Sequence, residues 1–384
     1  MIDFHYVIIG GGVAAATAVE AIRQRDPSST VAVITREWAP PYQRPPLSKE
    51  YLQARATIDS ILMHAGTWYL QQQVAVYVGV AVERLDPQAR TLELGEGQII
   101  RYRRLLLATG AVPRRLTIPG VDLEGVFTLR TYEDSQQLRA VRASAQRVVV
   151  VGSGFIGMEV AASLRSGGCN VTVVTSDAAL YERFGPDLSA YVQTLFERHG
   201  VTTVFRSAVT SIEGQDGRVS GVVLKTGERI ACQAVVIGIG VEPDVALAES
   251  GGLRVDNGIV VDDRLRTSAA DVFAAGDVAR FPSLRGTLTR VEHFDHAFAS
   301  GATAGANMAG ADEPYRYVPF FWSDVFELGF EFVGDPVGTA VLKKETAANG
   351  SFVIEYVEDG TLRGALLASR SAEERDAYRE RLQS

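Results

Sequence analysis

Two strand–turn–helix cassettes and a strand-rich tail predict an α/β chain: two Rossmann-like dinucleotide-binding domains followed by a small α+β domain. The first cassette, Tyr6 to Ile22, reads YVIIGGGVAAATAVEAI, and the second, Arg147 to Leu164, reads RVVVVGSGFIGMEVAASL. In each, an apolar run of buried-strand type meets a glycine turn and then the start of a helix. The spacings Gly10-x-Gly12-x-x-Ala15 and Gly152-x-Gly154-x-x-Gly157 both fit the dinucleotide fingerprint. Its first glycine makes a tight turn, its second lets backbone approach a pyrophosphate, and its small third residue packs helix on strand. The pyrophosphate then lies at the positive end of the helix. One such turn is as readily a plain strand-to-helix connection; two, each with strand and helix in place, specify two dinucleotides.

With 384 residues the chain is too long for one ordinary core. Hydrophobic content of 46% and charged content of 22% belong to the soluble globular class. A net charge of −8 argues against a general binder of nucleic acid or anionic membranes. No basic segment precedes the first strand and no apolar run approaches membrane-spanning length, so a cytoplasmic location is expected. Cys169 and Cys232 are far apart and outside any C-x-x-C pair, so they read as core or edge residues rather than a redox dithiol. No spacing suggests a metal site. Only four lysines occur, Lys49, Lys225, Lys343 and Lys344, and Lys49 stands out among them for its setting.

After the first cassette, Thr30 to Thr35 (TVAVIT) reads as a second parallel strand, beyond which the chain meets the ribose of a dinucleotide. The acid available there is Glu37, offset by Arg36. Pro40 to Leu52 (PPYQRPPLSKEYL) places prolines on both sides of Arg44, which holds Arg44 and Lys49 at small entropic cost. The plain alternative is a rigid surface loop before a short helix capped by Ser48. Residues 74 to 107 alternate short strands and turns and are expected to form a small antiparallel insertion that returns to the parallel sheet at LLLATG, Leu105 to Gly110. Phe127 to Thr131 (FTLRT) leads into a polar helix.

Past the second cassette, Val171 to Thr175 (VTVVT) stands where a βαβ unit needs its next strand, and Asp177 follows. Glu159 is read on the first turn of the cassette helix, where a carboxylate suits the dipole. Phe155 alone would be a core aromatic. Strands continue through Val219 to Leu224 and Ala234 to Gly240, and Ile259 to Asp263 with DVFAAGDVAR return to the first domain. Asp277, after Gly276, is open to an N-cap reading. Arg290 to Met308 (RVEHFDHAFASGATAGANM) starts a helix small enough for close packing, with His296 structural and on one face with Glu292. His5, His64 and His199 read as ordinary residues. From Pro314, YVPFFWSDVFELGFEFVGD and SFVIEYVEDGTLRGALLAS, divided by turns such as Glu358 to Thr361, and a charged helix from Ala372 give the α+β tail.

These motifs resemble a known family. The segment Pro40 to Leu52 is similar to one shared by the flavoprotein reductases of ferredoxin-dependent oxygenases and the apoptosis-inducing-factor flavoproteins. Over nearly its whole length the chain resembles a glutathione-reductase-type, two-dinucleotide flavoprotein. The resemblance implies an FAD domain (residues 1–112 and 243–311), an NAD(P)H domain (113–242) and a cap (312–384). For FAD it implies Gly10, Gly12, Val13, Ala14, Ala15 and Arg44 at the pyrophosphate and Glu37 at the ribose. The Val82 backbone is implied at adenine, with Thr109, Gly110 and Arg130 along the cofactor. Gly276 and Asp277 would meet the ribityl chain, and His293, Phe294 and Trp322 the flavin. For the nicotinamide it implies Gly152, Gly154, Ile156, Gly157, Gly240 and Glu331, with Phe155 against the ring and Asp177 at the ribose. Lys49 is implied beside flavin N5, paired with Glu159 where the domains meet, and these two are the implied catalytic residues.

Thr175 stands where NADH enzymes usually place an acid, but no arginine follows to hold a 2′-phosphate. Asp177 matches the acid of the apoptosis-inducing-factor flavoproteins, which favours NADH and leaves NADPH open. VEHFDHA also resembles that branch, although the long cap insertion of its animal members is missing and roles tied to it do not transfer. Three readings stay open: an NADH-dependent reductase of a [2Fe–2S] ferredoxin, an NADH oxidase or quinone reductase, and an NADH-sensing flavoprotein with slow reoxidation whose output is the state of the cap or of a homodimer. An acidic ferredoxin needs a basic patch, for which Arg101, Arg103, Arg104, Arg114 and Arg115 are candidates.

Overall fold

The computed structural model describes residues 1–336, 339–343 and 351–383. The chain divides into two compact units: Met1–Arg44, Ile58–Val112 and Glu242–Phe320 form one, and Pro45–Thr57, Pro113–Val241 and Phe321–Ser384 form the other. The class is mixed α/β, as the cassettes predict.

The first unit is built on parallel strands in the order Val74–Tyr77, Val31–Ile34, Ile2–Ile9 and Ile99–Leu107, with Val272–Ala274 joining the last part of Ile99–Leu107. Val7 pairs with Ala32 on one side and Leu105 on the other. Val7, Ile8, Leu105 and Leu106 are fully buried, as apolar runs without polar alternation require in a strand covered on both faces. The antiparallel insertion is smaller than expected. Val74–Tyr77, an apolar run, is a parallel edge strand, and only Val82–Asp86 and Thr91–Leu94 turn back against the first part of Ile99–Leu107.

The helix Val13–Arg25 buries Ala14, Ala15, Ala16 and Ala18. The helix Phe294–Met308 crosses it so closely that a Cβ on Gly301 would lie 2.3 Å from Thr17 Oγ1 and one on Gly305 2.4 Å from Ala18 O. The close packing expected of this small-residue helix is therefore present. His296 is structural, as expected: it is buried, Nε2 donates to Gly276 O at 3.3 Å and Nδ1 accepts from the Tyr315 hydroxyl at 2.8 Å. A carbonyl can only accept, which fixes the tautomer. Glu292 shares no helical face with it, because the helix begins at Phe294 and His293 is its extended N-cap residue.

In the second unit a parallel sheet runs in the order Thr202–Val204, Asn170–Val174, Arg147–Val151, Ala234–Ile237 and Val126–Phe127. Beside it stands an antiparallel trio, Val209–Gln215, Arg218–Leu224 and Arg229–Ala231. The tail sheet has the order Phe320–Val325, Leu328–Gly334, Thr361–Ala368, Phe352–Glu358 and Thr339–Lys343, followed by the helix Ala372–Gln383. Asp359 and Gly360, at φ 50° and 75°, form the two-residue turn expected there. The polar helix Tyr132–Ser144 starts on a capping box between Thr131 and Asp134.

Pro45–Ser48 is a single 3-10 turn in this unit. Ser135 Oγ donates to Leu47 O and Ser163 Oγ to Ser48 O, each at 2.7 Å. Ser48 thus closes a turn rather than capping a helix, because its hydroxyl is committed elsewhere, to Pro45 O and to Glu159.

Candidate active site

Both glycine turns separate what the fold needs from what a ligand needs. Gly10 has φ 140°, and a Cβ there would lie 2.1 Å from Ala108 O; Gly152 has φ 108°, with its Cβ 2.3 Å from Gly238 O. These first glycines are demanded by the protein's own backbone. At Gly157 a Cβ would meet Gly152 O at 2.7 Å, so the third position must also be small. The second glycines, Gly12 and Gly154, are different: a Cβ on either would meet nothing within 4 Å. Each is the N-cap of its helix, with no side-chain cap and no acid in the first turn. No side chain and no acid thus occupies either helix start, which fits a pyrophosphate in each cradle. Val13, Ala14 and Ala15 are buried in the first cradle, and Ile156 is exposed at the second.

The two cradles share a second device at the strand end. Thr35 Oγ1 accepts the Glu37 N–H at 3.2 Å, and Thr175 Oγ1 accepts the Asp177 N–H at 3.1 Å. In the first unit Glu37 is paired with Arg44 at 2.6 Å and accepts from the Tyr42 hydroxyl, so two residues assigned to FAD meet each other. Thr109 Oγ1 donates to Asp244 O at 2.7 Å, and Gly110, at φ 73°, accepts from Asp244 N. Gly276 N donates to Ser300 Oγ at 2.9 Å and places the buried Asp277 in a short 3-10 turn. Val82 opens a strand, and His293 and Phe294 stand at the start of their helix.

In the second unit the Arg130 N–H donates to Asp134 Oδ2 at 2.8 Å. Gly240, at φ 95°, accepts from the Arg114 N–H. Glu331 is paired with Arg375 at 3.2 Å. Phe155 packs on Phe321 with ring centres 4.6 Å apart, and the Arg183 guanidinium lies 4.9 Å from its ring centre.

Lys49 and Glu159 form the expected ion pair, Nζ to Oε1 at 3.4 Å. Both are buried. Glu159 is the fifth residue of the helix Phe155–Ser166, past its first turn. The helix dipole, which falls off within that turn, does not account for it. Its partners do: Ser48 Oγ donates to Oε2 at 2.5 Å, and Ser323 Oγ and Lys49 Nζ donate to Oε1. Lys49 also donates to Asp324 Oδ2, closer at 3.1 Å, and stands 5.8 Å from the centre of the half-buried Trp322 ring. Burial works against the Lys49 charge, but Glu159 and Asp324 outweigh it and hold the amine above the ordinary lysine value. For Glu159 burial is the larger effect and pushes its carboxyl up, against the pull of Lys49 and the two hydroxyls.

Ser48, Ser323 and Asp324 carry no sequence signal for this role. Asp324 is 275 residues from Lys49, on a strand whose apolar pattern says nothing of an amine opposite. Cys169 and Cys232 are buried free thiols; burial raises both, Cys232 to about 11, so neither offers a thiolate near neutral pH. Of the candidate basic patch, Arg101 is paired with Asp3 and Arg104 with Asp271, while Arg114 Nε donates to Val241 O.

Two pyrophosphate cradles on one chain, with a buried ammonium fixed by two carboxylates and no available thiolate, define a two-dinucleotide oxidoreductase. Residues 4–301 match the family described as pyridine nucleotide-disulphide oxidoreductase, and residues 318–383 match the monodehydroascorbate reductase 3-like C-terminal domain. The chain belongs to the pyridine nucleotide-disulphide oxidoreductase family and is an NAD(P)H-dependent FAD oxidoreductase. It is 38% identical over 334 residues to rhodocoxin reductase of Rhodococcus erythropolis, covering 86% of this chain and 78% of that protein. Monodehydroascorbate reductase 2 of Arabidopsis thaliana is 33% identical over 402 residues, with 98% and 92% covered. The crystal structure of the ferredoxin reductase for the CYP199A2 system from Rhodopseudomonas palustris superposes with a TM-score of 0.92 at 34% identity, covering 96% of this chain and 92% of that one. Among the described residues no helix is long and apolar enough to cross a membrane.

Proposed function

We propose that the protein takes two electrons from NADH onto FAD and passes them singly to a [2Fe–2S] ferredoxin-type acceptor. The observation that carries this reading is the Lys49 ammonium, buried and fixed by Glu159 and Asp324. A positive charge held rigidly in a low-dielectric site stabilises negative charge developing beside it without reorganising. FAD, when bound, supplies the step between a two-electron donor and a one-electron acceptor. Gly10, Gly12, Val13, Ala14, Ala15 and Arg44 hold its pyrophosphate, with Glu37, Val82, Thr109, Gly110, Arg130, Gly276, Asp277, His293, Phe294 and Trp322 along its length. Gly152, Gly154, Ile156, Gly157, Gly240 and Glu331 bind and orient NADH, Phe155 packs on its ring, and Asp177 takes its ribose. The ferredoxin named for the R. palustris reductase and the rhodocoxin named for the R. erythropolis reductase support a small electron-transfer protein as acceptor.

One observation favours a second reading. The tail matches the monodehydroascorbate reductase 3-like domain, which supports delivery of single electrons to a small organic radical. The oxidase, quinone-reductase and sensing alternatives share the same reductive half and differ only in what reoxidises the flavin.

Anaerobic stopped-flow mixing with NADH, then with a [2Fe–2S] ferredoxin, monodehydroascorbate, a quinone or air, separates them. Rapid bleaching followed by fastest reoxidation with ferredoxin is the expected result. Faster reoxidation by monodehydroascorbate or quinone would replace the acceptor, and a charge-transfer band lasting minutes with every acceptor would favour the sensor. Lys49→Ala is expected to retain FAD and to slow flavin reduction by NADH about 100-fold. Unchanged reduction kinetics would remove Lys49 from the chemistry.

A further inference from the structure

The second cradle carries a hydroxyl for which the fingerprint has no use. Position 153 is the variable residue of Gly152-x-Gly154. Its counterpart in the first cradle is Gly11, where a Cβ would sit 2.4 Å from Thr35 Oγ1. In the second cradle Ser153 fills that position: its Oγ lies 3.0 Å from Thr175 Oγ1 and donates to Asp177 Oδ2 at 2.5 Å. Ser153 and Thr175 are each only 4% exposed, while Asp177 is exposed. The Asp177 N–H is itself held by Thr175 Oγ1, so backbone and carboxylate are both fixed and Oδ1 is left for a ligand. In the first cradle the Glu37 N–H is held in the same way, but its carboxylate is held by Arg44 and Tyr42 rather than by the glycine turn.

An arginine is joined to this turn through its backbone. Arg206, at φ 50°, donates its backbone N–H to Asp177 O at 3.0 Å. Its exposed guanidinium makes no hydrogen bond or ion pair among the described residues. The same small region thus contains a carboxylate suited to a ribose diol and an arginine suited to a 2′-phosphate.

We propose that Ser153 is a specificity-positioning residue: its hydroxyl locks the Asp177 carboxylate toward the ribose diol of NADH and, by keeping that negative charge in place, excludes the 2′-phosphate of NADPH despite Arg206. The proposal rests on the second cradle being the nicotinamide site. A diol donates to the locked carboxylate, whereas a phosphate dianion meets like charge at the same place. Without the Ser153 hydroxyl the carboxylate is free to leave its locked position, which costs the diol its acceptor and relieves the repulsion.

The test is calorimetric binding of ADP-ribose and 2′-phospho-ADP-ribose to the oxidised FAD-loaded protein, with steady-state NADH and NADPH kinetics alongside. Ser153→Ala is expected to weaken ADP-ribose about five- to tenfold and to leave the phosphorylated ligand unchanged or tighter, the size of one charge-assisted hydrogen bond lost in part. The loss is expected in KM for NADH rather than in kcat, and Ser153→Thr is expected to restore it. In an Asp177→Asn background, Ser153→Ala should change neither affinity further. An unchanged ratio in Ser153→Ala, or an effect fully additive with Asp177→Asn, overturns the lock. If neither ligand binds the unaltered protein, the assignment of the cradle falls instead.

Discussion

Lys49 and His296 are both buried, yet one keeps its charge and the other loses it. The difference is in their neighbours. Lys49 faces the carboxylates of Glu159 and Asp324, whereas His296 is stacked on Phe281 at 4.7 Å with a hydroxyl and a carbonyl for partners. Burial lowers His296 to about 4, and the Asp277 charge and Gly276 carbonyl offset this only in part. An unfolded histidine titrates near 6.5, so between pH 6.5 and 4 the unfolded chain binds more protons than the folded one. Stability should therefore fall as pH falls through that window, by at most about 3 kcal/mol. Urea midpoints of the wild type and His296→Gln between pH 7.5 and about 4.5 check this; the variant should be weaker at neutral pH with a shallower slope. At the ion pair, Glu159→Leu is expected to cost about 3–5 kcal/mol by leaving Lys49 short of one partner, and adding Lys49→Met should recover part of it. Equilibrium unfolding of the two variants measures both.

At the scale of elements, the glycines fall into two groups that mutation should tell apart. Gly301→Ala drives a methyl to within 2.3 Å of Thr17 Oγ1 at the crossing of Val13–Arg25 with Phe294–Met308, and the helices must separate. A loss of about 1–3 kcal/mol or more, read as a lowered Tm of the apoprotein, is expected. Gly12→Ala meets nothing within 4 Å and should leave apoprotein stability within about 1 kcal/mol while weakening FAD binding sharply. The cassettes themselves were legible in the sequence because strand, turn and helix lie within eighteen residues or so and their glycines are local requirements. The insertion was less legible. Val74–Tyr77 looks like any short strand, and whether it joins the parallel sheet is decided by its pairing with Val31–Ile34, forty residues away. Glu159 falls past the first turn because the helix already starts after Gly154, within the glycine turn itself, a boundary the fingerprint does not mark.

For the whole molecule, the main fact is that each unit is assembled from three separated pieces of chain. The turn carrying Lys49 folds with the second cassette and the tail, and Tyr356 from the tail donates to Phe184 O at 2.8 Å beneath the aromatic cluster around Phe155. A chain stopped after Phe320 should therefore keep a cooperative first unit and lose the second. Hydrogen exchange is the measurement: protection retained in Ile2–Ile9 and lost in Phe155–Ser166 is expected, and protection retained in both would show that the tail is dispensable. This scale is also where the sequence says least. His64 meets Glu20 across 44 residues and His199 meets Glu327 across 128, so neither pairing is visible in the sequence. The Lys49–Glu159 pair was legible only through a family resemblance, and Asp324, the nearer carboxylate, was not legible at all.

The 275 residues between Lys49 and Asp324 also have a meaning in time. At roughly 5–20 residues per second, a ribosome needs on the order of 15–55 s to deliver the second carboxylate after the lysine has emerged. Glu159 comes earlier, but Ser323, which completes its hydrogen bonds, arrives with Asp324. The set of partners around the amine is therefore complete only once residue 324 has been made, which places the full enclosure of this charge late in the biogenesis of the nascent polypeptide.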